Sequence, residues 1–198
     1  MNIASMPLGA YQTNCYILWN EGNDRCLVID PGYEPERILK ETARLGKEIE
    51  AVLLTHGHFD HVGGVRTLAA ETDCRVYLHE QDLSMPPQFT AGPLYYTDLY
   101  REGDVLELAG LKLRVIHTPG HTPGSVCLVT EGVIFSGDTR FEGSCGRTDL
   151  PGGDWATILK SLKRLAGMEG NFRVYPGHGP DTTLAAEKQW NPYMRNNG

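Results

Sequence analysis

Long apolar runs are missing from this chain. Its hydrophobic stretches, such as Ala51 to Leu54 and Val133 to Phe135, end after a few residues. A bilayer-crossing helix needs about 20, so no membrane partner is expected. The opening MNIASMPLGAYQ has neither a basic segment nor a long apolar one and does not read as a signal peptide. Positive charge is also short: 18 Lys and Arg face 25 Asp and Glu, the formal net charge is −7, and no Lys/Arg run exceeds two. That excludes the basic stripe a nucleic-acid surface needs, while leaving room for a small anionic substrate held by one or two local cations. Cysteine is sparse. The five residues (Cys15, Cys26, Cys74, Cys127, Cys145) form no CxxC pair, and an odd number without that spacing reads as buried or free thiols in a reducing compartment. Cytoplasmic localisation is the expectation. Repeats, low-complexity tracts and linkers are absent as well, so a single domain over residues 1–198 is expected.

What the chain does have is an alternation of short apolar runs with helical patterns. NCYILW (14–19) and RCLVID (25–30) read as strands joined across the turn-rich NEGND. PERILKETARLG reads as a helix: Pro35 suits its first turn, Ile38, Leu39, Thr42 and Leu45 share a face, and Gly46 ends it. AVLL is a short buried strand that ends at Thr55, and VGGVRTLAAET after it has helical spacing through Val62, Val65, Leu68 and Ala69. RVYLH and LKLRVIH are further strands, and SVCLVT and VIFSG flank Glu131-Gly132, a two-residue hairpin turn. Asp154 is placed to cap the helix WATILKSLKRLAG; FRVY is a last strand and TTLAAEKQW a last helix. Strands interleaved with helices make the class α/β or α+β with layered sheets.

Histidine is rare, seven residues, yet three of them fall in LLTHGHFDHVGG: His56, His58 and His61, with Asp60 among them. The cluster begins where a strand stops. His121, Asp138 and His178 sit in RVIHTPGHTPG, GVIFSGDT and FRVYPGHGP, each after an apolar run and a glycine. Binding side chains gather at strand ends because the sheet holds them rigidly, and glycine lets backbone pass close to a packed centre. Taken singly, each is an ordinary turn residue. HxHxDH is more specific, because alternate residues of an extended loop point the same way. His56 and His58 can share one metal while Asp60 and His61 turn to another. The joint pattern predicts a metal site. His79 and His117 lie in strand-like runs and read as structural or supporting histidines.

THGHFDHVGG, HTPGHTPGS, SGDT and PGHG together resemble the metallo-β-lactamase superfamily, over about residues 14 to 192. Within that span, GSCGRTDLPGGD and PGHGPDTTLAAEKQWNP look like the short bacterial hydroxyacylglutathione hydrolases of the glyoxalase II group. The resemblance implies an α+β fold, a four-layered α/β/β/α sandwich with metals at one edge between two sheets. It also implies that His56, His58 and His121 bind one metal, that Asp60, His61 and His178 bind a second, and that Asp138 bridges both. Imidazole plus carboxylate suits zinc, and also iron or manganese, and no cysteine falls at a ligand position. Two divalent ions, zinc first, are the expected cofactors. The β-lactamases proper carry a cysteine where this chain has Asp138, and flavodiiron oxygen reductases carry an acidic residue where it has His58.

Two divalent ions a few ångströms apart share a water and lower its pKa from about 15.7 to near 7. They also polarise a carbonyl and stabilise the oxyanion formed on attack. A thioester suits this machinery, because its thiolate leaves readily. The expected reaction is hydrolysis of a small-molecule thioester, an S-2-hydroxyacylglutathione such as S-lactoylglutathione, by a metal-bridging hydroxide. Asp60, which orients the nucleophile, and Asp138 are the catalytic carboxylates. Longer enzymes of the group carry a helical C-terminal domain with basic residues for the glutathione moiety, which this sequence, ending at Gly198, is expected to lack. Arg147, in SCGRTD, is the local candidate for binding a substrate carboxylate, and its rival role is an ion pair with Asp149 or Asp154. Tyr95, Tyr96 and Tyr100 are candidates for the entrance. Two other activities share the resemblance: an iron-dependent persulfide dioxygenase using His56, His121 and Asp138, and a lactonase using the same dinuclear site.

Overall fold

A strand that is apolar on both faces must lie between two other layers. The computed structural model, which describes residues 1–194, shows how this builds the molecule. The last four positions of the expected domain lie outside the described residues. Strand β1 (Asn2–Leu8) pairs antiparallel with β2 (Thr13–Trp19), which pairs antiparallel with β3 (Arg25–Ile29). Helix α1 (Pro35–Arg44) then leads to β4 (Glu48–Leu53). A short α2 (Phe59–Val62) and α3 (Val65–Thr72) lead to β5 (Arg75–His79), and a loop leads to β6 (Asp98–Tyr100). Strands β3 to β6 run parallel, which completes a six-stranded sheet in the order β1 to β6.

The second sheet begins as an antiparallel meander, β7 (Val105–Leu108), β8 (Leu111–His117), β9 (Val126–Thr130) and β10 (Val133–Gly137). A two-stranded ribbon, β11 (Arg140–Phe141) and β12 (Ser144–Cys145), precedes helix α4 (Trp155–Ala166). Strand β13 (Arg173–Pro176) returns parallel to β10, β14 (Thr182–Thr183) pairs with it antiparallel, and α5 (Leu184–Trp190) follows. The spatial order is β14-β13-β10-β9-β8-β7.

Alternation along single strands shows the layering. On β2, Cys15 and Ile17 pack with Ile38 of α1 and Leu68 of α3, whereas Tyr16 and Leu18 face the other sheet. On β9, Val126 and Leu128 join that central core, and Cys127 and Val129 pack with Ile158 and Leu162 of α4 and Leu184 of α5. The result is the four-layered α/β/β/α sandwich of the α+β class. Among the described residues, no helix is long and apolar enough to cross a membrane.

Two local expectations hold in detail. Glu131 and Gly132 both take positive φ, 38° and 78°, as a twisted two-residue hairpin requires, and Asp154 caps α4 by accepting from the Thr157 N–H at 2.7 Å. One differs. The helical spacing through Val62 to Ala69 is not one helix: it breaks at Gly63 and Gly64 between α2 and α3. The loop after β3 passes so close that a Cβ on Gly63 would lie 2.3 Å from the Gly32 carbonyl oxygen. Periodicity carries no sign of that neighbour. Strands β1, β6, β7, β11 and β12 have no counterpart among the expected elements, being short or lacking a clear alternation, and the last helix begins at Leu184 because Thr182 and Thr183 pair as β14, with Thr183 capping the helix.

The C-terminal helix is fastened through a buried ion pair. Arg140 of β11 is 1% exposed and its guanidinium lies 3.2 Å from Glu187 of α5, itself buried. Burial pushes the Arg140 pKa down to about 10. Glu187 also accepts from the Gly143 N–H, the Thr182 hydroxyl and the Asn191 amide. Removing one member of such a pair strands the other charge in the interior. Glu187→Ala is therefore expected to destabilise the protein by about 3–5 kcal/mol, read as a lowered urea midpoint. Arg140→Met with Glu187→Leu should recover part of that loss.

Candidate metal centre

All seven predicted donors meet at one end of the two sheets, on the segments that follow the strand ends. The loop after β4 brings His56 and His58, α2 brings Asp60 and His61, and the segments after β8, β10 and β13 bring His121, Asp138 and His178. Three groups of potential ligands result, each with its donor atoms within 4.8 Å of one another: His56, His58 and His121; His56, His61 and Asp138; Asp60, His61 and His178. Six of the seven are buried and His178 is partly exposed.

The spacing of these atoms fits a shared cation. His61 Nε2 lies 3.3 Å from Asp138 Oδ1, and His121 Nε2 lies 3.5 Å from Asp138 Oδ2. His178 Nε2 lies 3.2 Å from Asp60 Oδ2, and His58 Nδ1 lies 2.9 Å from His121 Nε2. Donors at about 2.0–2.1 Å around a tetrahedral ion would stand about 3.3–3.4 Å apart. His56 Nε2, His61 Nε2 and Asp138 Oδ1 are buried with no hydrogen-bond partner, which is costly for polar atoms unless something else satisfies them. A Cβ on Gly177 would lie 2.2 Å from Asp138 Oδ1, so only glycine lets this loop close over the cluster. The donor set is imidazole and carboxylate, suited to zinc, iron or manganese.

Nitrogens on the far side of the rings are tied back to the fold. His61 Nδ1 meets Asp30 Oδ2 at 2.9 Å, and Asp30 accepts from the Thr55 N–H and hydroxyl at 2.8 and 2.6 Å. His121 Nδ1 meets the Arg147 carbonyl at 2.8 Å and His178 Nδ1 the Tyr11 carbonyl at 3.1 Å. Such contacts fix tautomer and ring orientation. The Thr13 hydroxyl donates to Asp60 Oδ2 at 3.0 Å. Asp30 and Thr13 were not singled out in the sequence. Asp30 could have been, because it ends the apolar run CLVI as the other site residues end theirs.

A cleft of about 430 Å³ opens over the cluster, reaching His58, Asp60, His121, Asp138 and His178 and walled by Tyr11, Phe59, Phe89, Phe141 and Leu150. Ser144, Cys145 and Arg147 also line it. The Arg147 guanidinium pairs with Asp149 at 2.7 and 2.8 Å, with both side chains exposed, and not with Asp154. The tyrosines expected at the entrance are elsewhere. Tyr95 lines a small hollow beside Arg66, Tyr96 is not among the cleft residues, and Tyr100 is fully buried with its hydroxyl on the Leu54 carbonyl. Tyr11 and the phenylalanines take that place. His79 and His117 stack on each other, centroids 4.2 Å apart, and belong to none of the donor groups. A separate hollow of about 560 Å³, lined by Arg25, Lys47, Glu71 and Cys74, lies at the other end of the parallel strands and holds none of the donors.

Without metal, the cluster is a balance of opposed charges. Burial raises the Asp138 pKa, but His61, His121 and His178 outweigh it and hold the carboxyl well below the usual range. Burial lowers that of His61, and Asp138 and Asp30 reverse the effect and hold it above the ordinary 6.5. His178 is raised as well, against burial, by Asp60 and Asp138. Burial and neighbouring histidines depress His56 and take His58 to about 4; burial also depresses His121 and takes His79 to about 4.

These shifts predict a stability maximum near pH 6.5 for the metal-free protein. Below that value the unfolded chain takes up protons that His56, His58, His79 and His121 refuse in the native state, so acid favours unfolding. Asp82, pushed up to about 6 by burial, opposes this below pH 6, but the lowered carboxyls of Asp60 and Asp138 act with the four histidines. The contributions of His61 and His178 are complete below 6.5 and are lost as pH rises through their raised native values. Urea midpoints measured with a chelator present should peak close to neutrality and fall on both sides.

A family model described as the metallo-beta-lactamase superfamily matches residues 8–178. Hydroxyacylglutathione hydrolase GloC of Haemophilus influenzae is 34% identical, over 98% of each chain. The crystal structure of BLEG-1, described as a B3 metallo-beta-lactamase, has a TM-score of 0.91 and 34% identity, covering 98% of this chain and 100% of that one. TTHA1623, in a di-iron-bound form, has a TM-score of 0.85 and 39% identity, covering 96% of this chain and 99% of that one. With the sandwich, the strand-end donors and the family match in agreement, this chain belongs to the metallo-β-lactamase superfamily.

Proposed function

We propose that the protein is a metal-dependent thioester hydrolase acting on S-2-hydroxyacylglutathiones such as S-lactoylglutathione. The observation that carries this reading is the pair of donor groups, three histidines on one side and Asp60, His61 and His178 on the other, with Asp138 reaching both. The name of the Haemophilus influenzae relative supports the substrate class. His56, His58 and His121 would hold one ion, Asp60, His61 and His178 the other, with Asp138 between. When bound, two such ions supply Lewis acidity to a water and to the substrate carbonyl.

This chain's own residues do the rest. Asp60, braced by Thr13, is placed to orient the nucleophile and accept its proton. The aromatic walls exclude bulk water from the acyl group. A protein nucleophile is not favoured: burial pushes the Cys145 thiol up, the opposite of activation, and among the described residues no histidine hydrogen-bonds to Ser144 or Cys145. Arg147 is offered for a substrate carboxylate. Its exposed pairing with Asp149 is worth little in water, so a substrate anion can displace it. The reading places the enzyme in the reducing cytoplasm, which its five free cysteines support.

Two other activities have an observation behind them. The likeness to a structure described as a B3 metallo-beta-lactamase favours β-lactams, and the likeness to a di-iron-bound form shows a similar site taking iron, the metal a persulfide dioxygenase needs, although as two ions where that reaction needs one. Zinc-loaded and iron-loaded protein should be given S-lactoylglutathione, a chromogenic cephalosporin and, with an oxygen electrode, glutathione persulfide. Thioester cleavage with zinc, slower cephalosporin turnover and no oxygen uptake are expected. Iron-dependent oxygen uptake with little thioester cleavage would replace this reading with the dioxygenase. Asp138→Ala should lose most activity and at least one ion by metal analysis. Arg147→Ala should raise KM more than it lowers kcat, because a remote carboxylate is held equally in ground and transition states.

A further inference from the structure

Asp82 lies in the single helical turn Glu80–Ser84 that follows β5, is 0% exposed, and is none of the seven donors. A buried carboxylate must be satisfied by hydrogen bonds, and here they come from two separate loops. From the loop after β4, the Gly57 N–H donates to Oδ2 at 2.8 Å. From the loop after β8, the Thr122 hydroxyl donates to Oδ2 at 3.0 Å and the Gly124 N–H to Oδ1 at 2.6 Å. Gly57 stands between His56 and His58, and Thr122 directly follows His121. The two loops belong to different sheets, and between them they supply the whole three-histidine group. Among the described residues, Asp82 makes no ion pair, so its charge is spent entirely on these donors. The other donor group has its own buried carboxylate, Asp30, which acts directly on His61.

We propose that Asp82 is a positioning residue that sets the separation of the two loops carrying His56, His58 and His121, so that the affinity of one metal ion depends on it and that of the other does not. This rests on the reading that the seven residues hold two ions. The carboxylate is needed for a geometric reason. Its two oxygens accept from two backbone N–H groups in different loops. An amide in the same place can accept on one side only, so either Gly57 or Gly124 would face an NH₂ group. Asp82→Asn therefore keeps the shape and loses one half of the clamp.

The test is zinc titration of metal-stripped protein against a chromogenic chelator, without any turnover assay. Wild type should show two binding steps. His121→Ala and His178→Ala identify them, each removing a ligand from one group only. Asp82→Asn should weaken the His121-dependent step about 10–100-fold, the range for partners that orient ligands, and leave the His178-dependent step within about twofold. Thr122→Val, which keeps the carboxylate and removes one donor, should weaken the same step less, and serves if Asp82→Asn fails to fold. Equal weakening of both steps, weakening confined to the His178-dependent step, or no change would overturn the positioning role while leaving the two-ion reading intact. A wild type that binds one zinc would overturn both.

Discussion

Imidazole nitrogens and carboxylate oxygens that turn their lone pairs towards one another inside a protein repel, or go unsatisfied, unless a proton or a cation lies among them. The whole site is organised around that constraint. Asp30 faces one nitrogen of His61 and Asp60 and Asp138 the other, and His56, His58 and His121 converge ring to ring, with centroids 4.6 to 4.9 Å apart. Protons can satisfy part of this arrangement: carboxylate neighbours raise the pKa of His61 and His178, while burial and neighbouring histidines lower that of His56 and His58. The three-histidine side and the carboxylate-rich side therefore differ in charge. Asp138 reaches both sides, so the first group counts one carboxylate and the second counts two, Asp60 and Asp138.

The sandwich is what makes such a cluster affordable. Three hydrophobic layers, one between the sheets and one under each pair of helices, bury strands on both faces and leave the chain ends of β3, β4, β8, β10 and β13 as rigid posts at a single rim. Rigid posts hold the donors apart against their repulsion, which a flexible loop could not do. The supporting contacts follow the same logic: Asp30 with Thr55 braces His61, backbone carbonyls of Arg147 and Tyr11 brace His121 and His178, and Asp82 joins loops from opposite sheets.

Much of this was legible in the sequence, for a physical reason. Each of the seven donors follows an apolar run, and the glycines beside them mark backbone that must pass close to a packed centre, so local pattern carried the site. The layering was less legible, because runs apolar on both faces, such as CYIL and VCLV, look alike in a doubly covered parallel sheet and in a sandwich. Long-range partners left no trace. Nothing within HEQDL marks Asp82, since the groups that satisfy it are 25 to 42 residues away. Tyr95 and Tyr96 fit an entrance by composition, yet the cleft wall is built from Tyr11, Phe59, Phe89 and Phe141, which are scattered along the chain. The rival role for Arg147, an ion pair, is present with Asp149; a substrate role depends on a ligand that displaces it.

The cysteines divide sharply by environment. Cys15, Cys26, Cys74 and Cys127 are buried in the hydrophobic layers, whereas Cys145 is partly exposed on the wall of the cleft. A bulky thiol reagent applied to the folded protein therefore has one accessible target. A fluorophore or spin label attached there would sit against the mouth of the site and report on whatever enters it, with no cysteine needing to be engineered in or out.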